Sequence, residues 1–272
     1  MKKTMKMTLA PVLALGLAVS AGAARTKVVL EGSTTVLPIA QRAAEVFMDA
    51  HKDADLSVRG GGSGVGIASI LDGSCDIADA SRSIEPAEIK EGKKRGKNIL
   101  PTVIAMDGIA PIVNPSNPVR GLTKEQIRDI YTGKYSNWSE VGGPDEKIVV
   151  VSRDSSSGTF EAFTELVLNK EKVRPDAILQ ASNQAVATTV SGAPGAIGYV
   201  GLGYLSPRLK ALAVDGVVAS KATVHSRKYP VSRPLYMYTN GRPKGVVRRF
   251  LDFVRSKEGQ KIVEEEGFVA LK

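Results

Sequence analysis

Seven consecutive residues, Arg153-Asp154-Ser155-Ser156-Ser157-Gly158-Thr159, bring together a guanidinium, four hydroxyls and a glycine. An apolar run, Ile148–Val151, precedes them and reads as a buried strand. The segment that follows, Phe160–Leu168, spaces its apolar residues as a helix does. The stretch is therefore a turn from a strand end into a helix N-terminus, where backbone N–H groups lack intrahelical acceptors and the helix dipole is positive. Hydroxyls and an arginine added to such a terminus make a receptor for a small oxyanion. A solvated Ser-rich loop with only a capping role is the plainer alternative.

Three more turns repeat the pattern. Lys27–Leu30 reads as a strand that runs through Gly32, Ser33, Thr34 and Thr35 into a helix over Leu37–His51, with Pro38 in its first turn. Asp55–Arg59 alternates as a strand and enters Gly60-Gly61-Gly62-Ser63-Gly64, where glycines let a backbone approach a ligand closely. The short helix that follows ends at Gly73. Asp76–Ala80 is a strand ending in Ser81, Arg82 and Ser83, followed by a helix with Glu85 and Glu88 in its first turn.

The remaining elements must hold these turns together. Val103–Met106 and Ile109–Val113 read as two strands broken by Asp107-Gly108, as a chain crossing between two lobes would be. Thr123 and Gln126 have the spacing of a capping box, and Gly133 stops that helix. Trp138 is expected as a packing anchor. Gln180–Asn183 leads into a helix ending near Gly192, Ala196–Val200 is a buried strand, and Arg233–Thr239 is a candidate return crossing. Two helices, Val246–Arg255 and Lys257–Glu266, close the chain. Strands alternating with helices give an α/β fold, in which ligands gather at the carboxyl ends of strands.

Lys2, Lys3 and Lys6, the apolar run Leu9–Val19 and Ala21-Gly22-Ala23 form a secretory signal peptide, 1–23, with no lipid-anchoring cysteine at its end. The formal charge of +9 falls to +6 without those lysines, an excess that suits an acidic ligand. Scattered basic residues and only 5% aromatics argue against nucleic acid. Cys75 is the single cysteine, so no intramolecular disulfide forms, and it is expected as a small buried residue. His51 and His225 stand far apart, and no cluster has metal-ligand spacing, so neither metal nor cofactor is expected.

Gly32–Val36, Gly62–Gly64, Arg153–Thr159, Leu122–Gly143 and Pro194–Tyr199, taken in order, resemble the periplasmic phosphate-binding proteins of phosphate ABC transporters. The resemblance covers nearly the whole mature chain. It implies a two-lobed type II periplasmic-binding-protein fold, with 24–106 and 232–272 in lobe one, 107–231 in lobe two and phosphate in the cleft between them. It places phosphate contacts on Thr34, Thr35, Ser63, Arg153, Ser157, Gly158 and Thr159. Many members have an aspartate at the end of the fourth strand, which accepts the proton of hydrogen phosphate. Here that position holds Ser81, followed by Arg82, so both join the expected site. Asp79, two residues earlier on the same strand face, is the candidate substitute. The expected partner is the transporter's membrane permease, and the protein is expected to be a periplasmic monomer.

The same turns would serve sulfate or molybdate, or hold a transition state in a secreted phosphatase or hydrolase. The sequence has no Gly-x-Ser-x-Gly elbow and no evident pairing of serine, histidine and carboxylate, which favours binding over catalysis.

Overall fold

The computed structural model describes residues 25–271; the expected signal peptide lies outside them. In chain order the strands are β1 Thr26–Gly32, β2 Ala54–Gly60, β3 Ile77–Ala80, β4 Ile99–Val113, β5 Gly121–Leu122, β6 Val149–Arg153, β7 Ile178–Gln180, β8 Ala196–Gly201, β9 Lys210–Ala211, β10 Ala213–Val214 and β11 Ser232–Asn240. The α-helices are α1 Leu37–Ala50, α2 Ser63–Asp72, α3 Pro86–Lys94, α4 Lys124–Thr132, α5 Gly158–Leu166, α6 Asn183–Gly192, α7 Lys221–His225, α8 Gly245–Arg255 and α9 Lys257–Glu265.

Local signals account for most of these boundaries. In α1 the buried Ile39, Ala40, Ala43, Ala44 and Phe47 recur at helical spacing, behind a proline in the first turn. Gly73 ends α2 in the left-handed region, at φ 80°. Thr123 caps α4 by accepting from the Gln126 amide, Gln126 accepts in return from the Thr123 amide, and Gly133 closes the helix at φ 89°. Trp138 is fully buried and donates its Nε1–H to the Gly195 carbonyl at 2.9 Å. Cys75 is buried and free, and burial pushes its thiol up to about 12.

The main sheet runs β2-β1-β3-β11-β4-β8-β6-β7, with β9 on β4. β1 is parallel to β2 and β3, and β6 is parallel to β7 and β8; β11 is antiparallel to both neighbours. One expectation is corrected here. Asp107-Gly108 does not divide two strands, because β4 is continuous over 15 residues. It pairs with β11 up to Gly108 and with β8 from Ile109 onward. A side chain at Gly108 would collide with Val224 and Tyr229, which pack over the strand and keep it extended. Asp107 finds a buried partner, described below.

Two large cores flank this switch. One holds Leu30, Phe47, Ala105, Met237 and Phe250; the other holds Ile109, Trp138, Phe163, Tyr199 and Val231. β4 and β11 are the strands at the junction between them.

Helix α2 lies hard against β1. A Cβ added at Gly66 would stand 2.4 Å from the Glu31 carbonyl oxygen and 2.8 Å from the Gly32 Cα, both backbone atoms that cannot step aside. Gly66→Ala is expected to destabilise the protein by ~1–3 kcal/mol in urea denaturation. Gly192→Ala, whose Cβ would meet nothing within 4 Å, is expected to stay within about 0.5 kcal/mol of wild type. Equal stabilities for the two variants would contradict this packing account.

Candidate anion-binding site

The expected turns are held by local hydrogen bonds and by contacts with neighbouring strands. After β1, Gly32 takes φ 141°, and the Ser33 amide donates to the Asp79 carbonyl at 2.8 Å. Ser33 Oγ accepts from the amides of Thr35 and Val36, which turns the chain into α1 and leaves Thr34 and Thr35 buried. After β2, Gly62 at φ 102° precedes α2, whose first residue is the fully buried Ser63. After β3, the Ser81 amide donates to Ser63 Oγ at 3.0 Å, and the two hydroxyls lie 3.4 Å apart.

The Arg153–Thr159 turn is set from below by aromatic packing. Phe163 stacks on Tyr199 at 4.0 Å, and the Tyr199 hydroxyl contacts Ser152 Oγ at 3.0 Å and accepts from the Arg153 amide at 3.2 Å. Ser157 caps α5 by accepting from the Phe160 amide, so the first-turn amides of Gly158 and Thr159 have no intrahelical acceptor.

These turns converge. Thr35 Oγ1 lies 3.0 Å from Thr159 Oγ1, joining residues from the two cores. The Gly64 amide donates to the Ser156 carbonyl at 3.0 Å across the same gap. A Cβ on Gly158 would stand 2.2 Å from Ser63 Oγ and 3.0 Å from Ser81 Oγ, so glycine is needed for the α5 N-terminus to come this close. Thr34, Thr35, Ser63, Ser81, Gly158 and Thr159 therefore form one buried cluster of hydroxyls and helix-terminal amides.

Arg153 ends β6 and is 1% exposed. Its Nε donates to the Gln180 carbonyl and its Nη2 to the Ala181 carbonyl, at 2.9 and 3.0 Å. Nη1 finds no acceptor among the described residues. The nearest carboxylate, Asp154, is 4.0 Å away and accepts from Ser156. Burial lowers the Arg153 pKa, and the charge of Arg233 lowers it further.

Arg82 is placed differently. Its guanidinium makes two 2.8 Å hydrogen bonds to Glu88 and pairs with Glu161 on α5, so three partner atoms already hold its charge. It faces a cavity of about 620 Å³, lined in part by Ser81, Phe160, Glu161, Ser232 and Arg233, that opens beside the hydroxyl cluster. Burial pushes Glu161 up to about 7, although Arg82 pulls it down. Asp79 is buried, neither of its carboxyl oxygens has a partner among the described residues, and burial raises its pKa.

Three residues at this site were not expected from the sequence. Asn183, the first residue of α6, donates from Nδ2 to Thr34 Oγ1 at 3.1 Å and to Thr35 Oγ1 at 3.0 Å. Arg233 on β11 donates to Thr35 Oγ1, Thr159 Oγ1 and the Gly158 carbonyl. Asp107 on β4 accepts from Arg233 Nε and Nη2, and from the Leu202 amide. Opposite charges inside two otherwise apolar crossing strands were the available signal for the last two. His51 is elsewhere, stacked on Phe47 with Nδ1 at the Phe47 carbonyl, and no group of metal-ligating side chains occurs among the described residues.

The cluster gathers hydroxyl and amide donors with the Arg233 guanidinium, the chemistry that receives a compact oxyanion.

A family model described as PBP superfamily domain matches residues 18–258. The phosphate-binding protein PstS of Bacillus subtilis is 35% identical over 242 residues, covering 88% of this chain and 79% of the relative. That of Borreliella burgdorferi is 36% identical over 253 residues, covering 89% and 88%. Among solved structures, a putative phosphate ABC transporter substrate-binding protein from Clostridium perfringens, with bound phosphate, superposes with a TM-score of 0.85 at 37% identity. That match covers 91% of this chain and all of the other. The α/β architecture is thus the type II periplasmic-binding-protein fold, and the chain belongs to the PBP superfamily, in the family of the PstS phosphate-binding proteins.

Proposed function

We propose that this protein captures inorganic phosphate in the cleft between its two cores and hands it to the membrane permease of an ABC transporter. Relatives named for phosphate binding support the ligand. The observation within this chain that carries the reading is the buried Arg153, whose Nη1 has no acceptor among the described residues. A bound anion would supply the missing acceptor.

In this reading 24–106 with 232–272 form lobe one and 107–231 form lobe two, supported by the change of β4 partner after Gly108 and by the division of the cores. Thr34, Thr35, Ser63, Ser81, Ser157 and Thr159 supply hydroxyls, Gly158 an amide and Arg153 the charge. Arg82 acts at one remove, tying Glu161 to lobe one. Ligand contacts from both lobes favour the closed form, since only that form makes them all. The permease can then distinguish loaded from empty protein. We assign the protein no catalysis and no cofactor, place it as a monomer in the periplasm on the strength of residues 1–23, and give it no nucleic-acid role.

Calorimetry tests this. Phosphate is expected to bind wild type, Arg153→Ala to lose roughly a hundredfold or more in affinity, and Ser157→Ala about tenfold. Unchanged affinities in both variants would exclude the site. Sulfate titrated alongside decides selectivity: with serine in place of the family aspartate, competition by sulfate would make the protein a general oxyanion carrier.

Glu161 adds a pH term to stability. Its pKa in the closed form is about 7, above the ordinary 4.5, so this form binds its proton more tightly than the unfolded chain does. The associated stability is fully present below about 4.5 and is lost as pH rises through about 7. Thermal midpoints of ligand-free wild type are expected to fall across that window relative to those of Glu161→Gln. Parallel profiles for the two proteins would remove Glu161 as the source.

A further inference from the structure

We propose that Asn183 and Arg233 are positioning residues that fix the direction of the hydroxyl hydrogens in the cleft, so that Thr35 donates toward an anion, directly or through Thr159, and does not accept from it. The proposal rests on the reading that the cleft holds phosphate.

The argument is a count of hydrogens and lone pairs. The Gly201 amide can only donate, and it donates to Asn183 Oδ1 at 3.2 Å. The Asn183 amide is thereby oriented, with Nδ2 toward Thr34 and Thr35. Arg233 is oriented in the same way. Asp107 accepts from Nε and Nη2 on one edge, and Asp107 is itself held by the Leu202 amide at 2.9 Å. Nη2 has two hydrogens. One serves Asp107, and the other lies between Thr35 Oγ1 at 3.2 Å and Thr159 Oγ1 at 3.0 Å.

Thr35 Oγ1 therefore receives hydrogens from both Asn183 and Arg233, which engages both of its lone pairs. Its own hydrogen must point outward, to Thr159 Oγ1 at 3.0 Å or to a ligand. In the first case Thr159 receives from Thr35 and shares the Arg233 hydrogen with it, and its own hydrogen is left without a protein acceptor. In the second, Thr35 itself donates to the ligand. In neither case is Thr35 placed to accept a ligand hydrogen. Such chains polarise one another, which strengthens the terminal donor. The ligand oxygen seated at the Thr35–Thr159 contact must be an unprotonated one, so the P–OH of hydrogen phosphate is directed to another side of the cleft.

The test uses the whole mature protein and phosphate calorimetry at about pH 5.5 and about pH 8, each variant expressed as a ratio to wild type so that phosphate's own titration cancels. Asn183→Asp keeps the shape and replaces the donating NH₂ by an acceptor. It is expected to lose roughly ten- to a hundredfold in affinity at the higher pH and to recover much of this at the lower, where the introduced carboxyl regains a hydrogen. Asn183→Ala is expected to give a smaller loss with no pH dependence. Identical, pH-independent losses for the two variants would mean a packing role only and overturn the proposal, as would wild-type affinity in Asn183→Asp. Should that variant not fold, Thr159→Val and Thr159→Ser decide. Loss in the first with retention in the second supports the proposal, and equal affinities overturn it. Wild-type protein that binds no phosphate overturns the reading of function, whereas failure of this proposal leaves wild-type binding intact.

Discussion

A dehydrated oxyanion needs every lone pair matched, and a buried cation needs every N–H matched; each is costly alone and inexpensive beside the other. Much of this structure follows from that pairing. Arg153 is buried with Nε and Nη2 fixed on carbonyls and Nη1 left without an acceptor among the described residues. The carbonyls hold the guanidinium in place without cancelling its charge. The hydroxyl cluster of Thr34, Thr35, Ser63, Ser81 and Thr159 is neutral, and neutral donors match an anion without adding repulsion between like charges.

Neutral donors must be many and close, and this explains the local chain chemistry. Helix starts are used because their first amides are free and point outward. Serine and threonine are used because they cap those same helices while presenting a hydrogen. Ser157 is a cap in this sense, and Ser33 accepts from two amides of the turn that leads into α1. Glycine is required only where backbones touch. Gly158 lets α5 approach Ser63 and Ser81, and Gly62 lies so near Ser156 that a side chain there would overlap its carbonyl. Opening the cleft would separate both contacts, so the closed form is the one these glycines fit.

The part of the site visible in the sequence was the part made locally. A strand, a turn rich in Gly, Ser and Thr, and a helix start lie within a dozen residues of one another, so Thr34, Ser63 and the Arg153–Thr159 turn could be read without a fold. Asn183, Arg233 and Asp107 could not, since their partners lie far away in the chain. Asp107-Gly108 misled for a physical reason. Aspartate with glycine is turn chemistry when the aspartate is solvated. Here its carboxylate is bonded to Arg233 and Leu202, and apolar side chains cover the glycine, so the strand continues through. Arg82 differs in the opposite sense. A cation at a strand end looks available to a ligand, but Glu88 and Glu161, brought beside it by α3 and α5, already hold it.

The Asp107–Arg233 pair also bears on how the molecule closes. A buried ion pair is weak evidence for stability, since removing two charges from water offsets most of their attraction. Its location gives it a different use. Asp107 lies on β4 and Arg233 on β11, the strands at the junction of the two cores, and the register places them directly opposite. From that fixed point Arg233 reaches Thr35 on one side and Gly158 and Thr159 on the other. Rotation of the cores about these strands must break one set of contacts while the ion pair persists. An open cleft would leave a buried guanidinium short of acceptors, and an occupied closed cleft supplies them all. The crossing strands are thus more than a passive hinge, because the charge they hold is fully matched only when both halves are in place.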